Sequence, residues 1–253
     1  MKLIVCGKGG SGKSTVSTLL AKGLAQQSRR VLLVDVDESN IGLYRMLGLE
    51  MPVPLMDHFG GKKGFQERIK SAGIGLGGSV PLFPEQMTFD RLPDECVSTT
   101  DGIHAVSVGK IHHFGEGCAC PMGRLFRMLF ASLILETRDC IVVDTSAGVE
   151  HFGRSLDSQC DHAVCVVDPS FESVNLAGNV KAFTEEIRMP VSFVLNKVQP
   201  EIEADLSAAL GNIPIAAKLA EDRDIFLNTL KGDALTHDGS VMDGLISLVC
   251  AEK

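Results

Sequence analysis

A short apolar run, Met1 to Cys6, leads straight into Gly7-Lys8-Gly9-Gly10-Ser11-Gly12-Lys13-Ser14-Thr15. Residues Gly7 to Ser14 fit the pattern G-x-x-x-x-G-K-[ST], which carries weight only between a strand and a helix, where it sits here. The glycines let successive backbone N–H groups turn toward an anion that side chains would otherwise block. Gly9, Gly10, Ser11, Gly12 and Thr15 complete this phosphate-binding stretch. Lys13 is expected to reach the β- and γ-phosphates of a nucleotide, and the Ser14 hydroxyl to sit on Mg²⁺. The helix that opens at Lys13 points the positive end of its dipole at the same phosphates. A chain with this head is committed to a strand, a loop and a helix packed back onto the strand.

The rest of the sequence continues that alternation. Apolar, β-branched runs at Lys2–Cys6, Arg30–Val34, Ala105–Val108, Asp139–Val143, Ala163–Val167, Val191–Leu195 and Ile213–Ala216 read as strands. Helical patterns lie between them at Lys13–Gln27, Pro121–Thr137, Ser173–Ile187, Ile202–Leu210 and Ala220–Leu230. Continuous apolar strands alternating with helices predict an α/β fold: a doubly wound, mostly parallel sheet with helices on both faces. Ligands of such sheets bind at the carboxyl ends of the strands. The 253 residues are expected to form a single domain over 1–253. Residues 52–101, rich in glycine and proline, read as an irregular insertion with one helix near Gly64–Ala72.

Composition narrows the function classes. The net charge is −8, and no Lys/Arg run stands out, which argues against nucleic acid as a partner. No apolar run is long enough to span a membrane. The chain starts straight into a strand, so a cytoplasmic location without a signal peptide is expected. Eight cysteines are many for a reduced chain. Cys6, Cys140 and Cys165 lie in strand-like runs and read as core, with Cys160 and Cys250 similar; Cys96 is uninformative. The rest point to metal or redox chemistry rather than a disulfide scaffold.

Carboxylates mark the predicted strand ends. Asp35 and Asp37, at i and i+2, point to one side of an extended chain. Near a Mg²⁺–phosphate site, one can hold a metal-bound water and the other can orient an attacking water. The strand Cys140–Val143 closes on Asp144, the Walker-B arrangement in which a carboxylate accepts from magnesium-bound water. Gly148 would let a backbone N–H approach the γ-phosphate. Asn196 and Lys197 end another strand, and Asn196 offers both donor and acceptor to a purine edge. Asp168-Pro169-Ser170 ends the strand between and is assigned no chemistry.

Lys8 is the second lysine of the loop. With it, the segment resembles the deviant phosphate loop K-G-G-x-G-K-[ST] of the superfamily that includes the nitrogenase iron protein, MinD, ParA and ArsA. That resemblance implies an ATP hydrolase working as a homodimer, with Lys8 reaching nucleotide held by the partner subunit. It also implies that Asp37 positions the nucleophilic water and Asp35 supports the magnesium shell. Asp144 to His151 resembles switch II of the family, and Asn196-Lys197 its adenine-side element.

One stretch remains, Gly115-Glu116-Gly117-Cys118-Ala119-Cys120-Pro121. Glycines surround the cysteine pair, and Pro121 opens a helix whose N-terminus favours the thiolate that binds soft metals. Two sulfurs do not close a thiolate site, which takes four. A dimer would supply the second pair across its axis. His112 and His113 are nearby candidate ligands, although a solvated or packed pair is the plainer reading.

The combination resembles the CooC nickel-insertion ATPases over nearly the whole chain. It implies Ni²⁺ or Zn²⁺ held by Cys118 and Cys120 and delivered to the carbon monoxide dehydrogenase apoenzyme. A first alternative is an ATP-dependent Fe–S reductase like the nitrogenase iron protein. That family places a cluster cysteine in switch II, where this chain has none. A second is a positioning ATPase like MinD or ParA. MinD-type members grip lipid with a basic C-terminal helix. Ser240–Lys253 is instead expected to pack on the body through Val241, Leu245, Leu248 and Val249.

Overall fold

In the computed structural model, which describes residues 1–71, 82–84, 86–111, 120–147 and 159–251, side chains of the first strand alternate between two cores. That strand, β1, spans Lys2–Gly7. Its Leu3 and Val5 join one buried cluster, and Ile4 and Cys6 the other. The same division holds along β2 (Arg30–Asp35), where Leu33 faces one side and Leu32 and Val34 the other. Successive side chains of a strand point to opposite faces, so an unbroken apolar run needs cover on both.

The remaining strands are β3 (Val97–Thr100), β4 (Ile103–Ser107), β5 (Asp139–Asp144), β6 (His162–Val167), β7 (Val191–Val198) and β8 (Ile215–Ala220). They form an eight-stranded sheet in the order β3-β4-β2-β5-β1-β6-β7-β8. Every pairing is parallel except β3 with β4. This is the expected doubly wound α/β architecture.

Helices among the described residues are α1 (Lys13–Gln26), α2 (Leu43–Met46), α3 (Leu55–His58), α4 (Gly61–Ser71), α5 (Cys120–Ser132), α6 (Phe171–Glu186), α7 (Glu203–Leu210), α8 (Arg223–Lys231) and α9 (Asp243–Ala251). Leu19 and Leu20 of α1 share one core with Leu245 and Ile246 of α9. Phe126 and Phe130 of α5 share the other with Val180 of α6 and with Phe65 of α4.

Several boundaries differ from the sequence reading, each for a local reason. Helix α6 begins at Phe171 rather than Ser173 because the Ser170 side chain caps it, accepting from the Ser173 N–H. Helix α8 begins at Arg223 rather than Ala220 because Asp222 caps it. Helix α5 stops at Ser132, short of Thr137. There the chain pairs with another segment: Met87 N–H donates to Ser132 O, and Ile134 N–H to Met87 O.

Residues 52–101 are not irregular throughout. Their described part holds α3, α4 and the edge strand β3, which turns into β4 through Asp101-Gly102. Cys6, Cys140, Cys165 and Cys96 are buried, but Cys160 and Cys250 are only partly so. Helix α9 buries Leu245 and Val249, as expected, and Ile246 as well, whereas Leu248 and Val241, in the turn before the helix, are exposed. None of the described helices is long and apolar enough to cross a membrane.

Candidate functional site

The carboxyl ends of β1, β2, β5 and β7 meet at one open cavity of about 870 Å³. Its walls bring together Gly9, Gly10, Gly12 to Thr15, Asp37 to Asn40, Ser146, Ala147, Asn196 and Lys197. Strands β1 and β5 pair directly, and β5 pairs with β2, so the sheet's own register aligns the loop with both acidic segments. This is the switch point of a doubly wound sheet, where the connections leave in opposite directions.

Two glycines show why the loop has its composition. Gly12 has φ +95°, and a Cβ there would lie 2.1 Å from Asn196 Nδ2. Gly7 has φ +146°, and a Cβ there would lie 2.5 Å from Val166 O. Both the backbone conformation and the close neighbours exclude a side chain. Gly12 gives α1 no side-chain cap, so the first-turn N–H groups are left for an anion. Asn196 Nδ2 donates to Ser11 O at 2.8 Å, and Lys197 Nζ to Gly10 O at 2.7 Å. The Asn-Lys pair thereby braces the loop from β7.

Asp144 is fully buried at the end of β5. Ser14 Oγ donates to it at 2.7 Å and Ser17 Oγ at 2.8 Å. Burial pushes its carboxyl up to about 6, against the pull of those hydroxyls and of Lys13. Lys13 is itself nearly buried and donates to Lys8 O at 3.1 Å. Burial lowers its ammonium pKa, with Asp144 and Asp37 opposing. Asn40 Nδ2 donates to Ser14 Oγ at 2.7 Å.

Asp37 is held by Ser39, whose N–H and Oγ donate to its Oδ1 at 2.9 and 2.7 Å. Burial works to raise its pKa, but the Ser39 bonds and Lys110 outweigh it and hold the carboxyl below its ordinary value. The sequence reading placed Asp35 beside the magnesium shell. Its partners here are Lys110 Nζ, at 2.7 Å from Oδ2, and the Asp37 N–H, at 3.1 Å from Oδ1. Burial lifts Asp35 to about 7 despite Lys110.

Lys110 was not among the expected site residues. Its buried ammonium also donates to Asp37 O and Asn40 O. A lysine two residues past the apolar run Ala105–Val108, in a chain whose neighbouring strand ends on aspartate, was the available signal. Asp168 was passed over too, yet Lys8 Nζ lies 3.5 Å from its Oδ2. Helix α8 adds Ile225 and Phe226 to the cavity wall, and Phe226 is exposed. An apolar ring lining the same cavity as Asn196 suits a purine face. Cys118, His112, His113 and Gly148 to His151 lie outside the described residues. Cys120 is exposed at the start of α5. It is disulfide-bonded.

The family model for the CobQ/CobB/MinD/ParA nucleotide-binding domain matches residues 2–233. The chain belongs to that family. An uncharacterized ATP-binding protein of Methanocaldococcus jannaschii is 36% identical over 98% of this chain and 99% of its own. The carbon monoxide dehydrogenase accessory protein CooC of Rhodospirillum rubrum is 28% identical, covering 85% of this chain and 83% of its own. Among solved structures, MinD of Pyrococcus horikoshii with Mg-ADP superposes with a TM-score of 0.63 at 20% identity, covering 100% of this chain and 95% of that one. That likeness shows the shared fold.

The chain is a nucleotide-binding ATPase of the MinD/ParA superfamily, which implies ATP, and the site has donors that suit a magnesium ion beside it. A buried carboxylate and a serine hydroxyl within 2.7 Å are the hard oxygen donors Mg²⁺ prefers. A buried carboxyl is costly to ionise without a cation. The raised pKa values give this a pH dependence. Both Asp35 and Asp144 lie above the ordinary carboxylate range when folded, so each favours the fold at low pH. That contribution is lost as pH rises through about 6 for Asp144 and about 7 for Asp35. Asp144 must shed a proton to join a magnesium site. Mg-dependent nucleotide affinity is therefore expected to strengthen as pH rises through about 6 and then level off. Titration calorimetry in two buffers of different ionisation enthalpy checks this, since proton release must appear at pH 5.5 and vanish by pH 8. A flat profile would mean Asp144 is ionised throughout.

Proposed function

We propose that this chain is an ATP-dependent metallochaperone. It is an ATP-gated homodimer that carries Ni²⁺ or Zn²⁺ on Cys118 and Cys120 and assists nickel insertion into carbon monoxide dehydrogenase. The observation that carries this reading is the physical link between the nucleotide site and the segment leading to Cys120. Val108 N–H donates to Asp35 O at 3.0 Å, and Ile111 N–H to Glu38 O at 3.1 Å. Lys110 fastens the same two stretches through its ammonium. A shift of the Asp35–Asn40 stretch on loss of the γ-phosphate thus pulls on residues 108–111, which precede the cysteines in the chain. The similarity to CooC supports the choice of cargo and client.

In this reading the loop N–H groups and Lys13 bind the phosphates. Lys13 also neutralises charge that builds on the transferred group. Ser14 and Asp144 would hold Mg²⁺, which supplies further charge neutralisation when bound. Asp37 orients the water that attacks the γ-phosphorus, and ADP leaves. Asn196 and Phe226 seat the base. Lys8 leaves Asp168 to contact nucleotide in the partner subunit, so the ion pair with Asp168 is the resting position of a cross-interface cation. Asp168 is then a restraint on closure. A MinD-like grip on lipid is disfavoured because α9 buries Leu245, Ile246 and Val249 in the core.

The test is Ni²⁺ and Zn²⁺ stoichiometry on reduced protein, with and without a non-hydrolysable ATP analogue. The difference between wild type and Cys118→Ala/Cys120→Ala is expected to be about half a metal per chain, as for a four-thiolate site shared by two subunits. It should track the dimer. Equal metal content in both proteins would leave a dimeric ATPase whose cysteines are structural.

A further inference from the structure

A second group of donors lies away from the nucleotide site, where α3 meets the turn into the edge strand β3. His58, Glu95 and Cys96 each offer a ligand atom, and all three atoms lie within 4.8 Å of one another. His58 Nδ1 is 2.6 Å from Glu95 Oε1. Cys96 is fully buried beneath them, while His58 is partly exposed and Glu95 exposed. The sulfur thus forms the floor of the group, and the imidazole and carboxylate form a rim open to solvent.

The backbone holds the two segments together independently of these side chains. Val53 N–H donates to Glu95 O at 2.9 Å, and His58 N–H to Pro54 O at 3.0 Å. Cys96 N–H donates to Pro93 O at 2.8 Å. The donors are therefore pre-positioned from two short, anchored pieces of chain. Asp57, next to His58, adds negative charge that favours a cation.

We infer that His58, Glu95 and Cys96 form a binding site for a borderline-soft divalent cation, Zn²⁺ foremost. The donor set of imidazole nitrogen, carboxylate oxygen and thiolate sulfur is the one zinc takes, and three protein donors leave a fourth position for water. Binding displaces the Cys96 proton, because the metal ligand is the thiolate. The bound ion would tie α3 to the edge of the sheet. Helix α3 in turn packs on the segment that leads to Cys120: Met56 N–H donates to Val108 O at 2.9 Å.

This site does not depend on the Cys118–Cys120 reading, and the experiment removes that motif. Reduced, full-length Cys118→Ser/Cys120→Ser protein is titrated with Co²⁺ as a spectroscopic substitute for zinc. About one Co²⁺ per chain is expected, with the near-ultraviolet thiolate-to-cobalt band and the intense visible bands of a four-coordinate ion. Glu95→Gln and His58→Gln, both at the rim, should each weaken binding by about a hundredfold or more, since outer-sphere partners alone are worth about ten- to a hundredfold. Cys96→Ser should remove the thiolate band. Zn²⁺ should raise the melting temperature of the parent and not of the rim variants. Absence of a thiolate band, or a band untouched by both rim substitutions, would overturn the site.

Discussion

Lys110→Met is expected to lower folding stability by about 3–5 kcal/mol at pH 8, the usual cost of stripping one partner from a buried ion pair. Methionine keeps the volume, so the loss reports the charge and its hydrogen bonds rather than a cavity. The ammonium is buried with Asp35, 2.7 Å from its Oδ2. Its two backbone acceptors, Asp37 O and Asn40 O, lose their donor at the same time. The sign of the pH dependence separates this account from simple misfolding. Asp35 already sits near 7 in the wild type because burial outweighs Lys110. Once protonated, it no longer needs a cation. The gap between variant and wild type should therefore narrow from pH 8 to pH 5.5, as read by urea denaturation. A gap that is constant or widens would refute an Asp35-centred role. The variant should also lose the ATP dependence of metal binding, because residues 108–111 are then fastened to the Asp35–Asn40 stretch only by backbone bonds.

Lys8→Ala is expected to abolish ATP-driven dimerisation while leaving nucleotide binding by the monomer nearly intact. Lys8 does not hold the loop with its side chain: its ammonium is paired with Asp168 at 3.5 Å. The bonds that shape the loop run from the backbone, Asn196 and Lys197, including Ser11 N–H to Lys8 O at 3.1 Å. Alanine preserves them. Hydrolysis should fall by about 10³–10⁵, the range for a cation supplied in trans to a phosphoryl-transfer site. Sedimentation with a non-hydrolysable analogue, alongside calorimetric nucleotide binding, separates the two effects. Normal ATP-dependent dimers in the variant would end the cross-interface assignment. Asp168→Asn, which frees Lys8 from its resting partner, should shift the same equilibrium toward the dimer.

The elements missed or misplaced in the sequence were those whose cause is not periodic. Strand β3 is short and polar, and it pairs only because Asp101-Gly102, both at positive φ, turn it back on β4. An Asp-Gly turn between extended runs was a legible hairpin signal. The end of α5 was not legible, because nothing local stops it at Ser132; pairing with Met87 does. The caps of α6 and α8, Ser170 and Asp222, were readable as side chains that accept from first-turn N–H groups. Among site residues, those within motifs and at most of the strand ends were found, because their spacing follows from the sheet. Lys110 and Asp168 were not, since each acts through a partner distant in sequence.

The sequence by itself determined the parallel α/β sheet, the phosphate loop at its head and the acidic strand ends that face it. Those follow from glycine conformation, hydrophobic alternation and strand direction, which are local properties of the chain. Only the tertiary structure decided that Lys110 bridges Asp35 to residues 37–40, that Lys8 rests on Asp168, and that His58 meets Glu95 and Cys96. Each of these is a contact between segments brought together by strand order and packing. A charge or a thiol acquires its partner, and with it its proton affinity, only when the chain has closed around it.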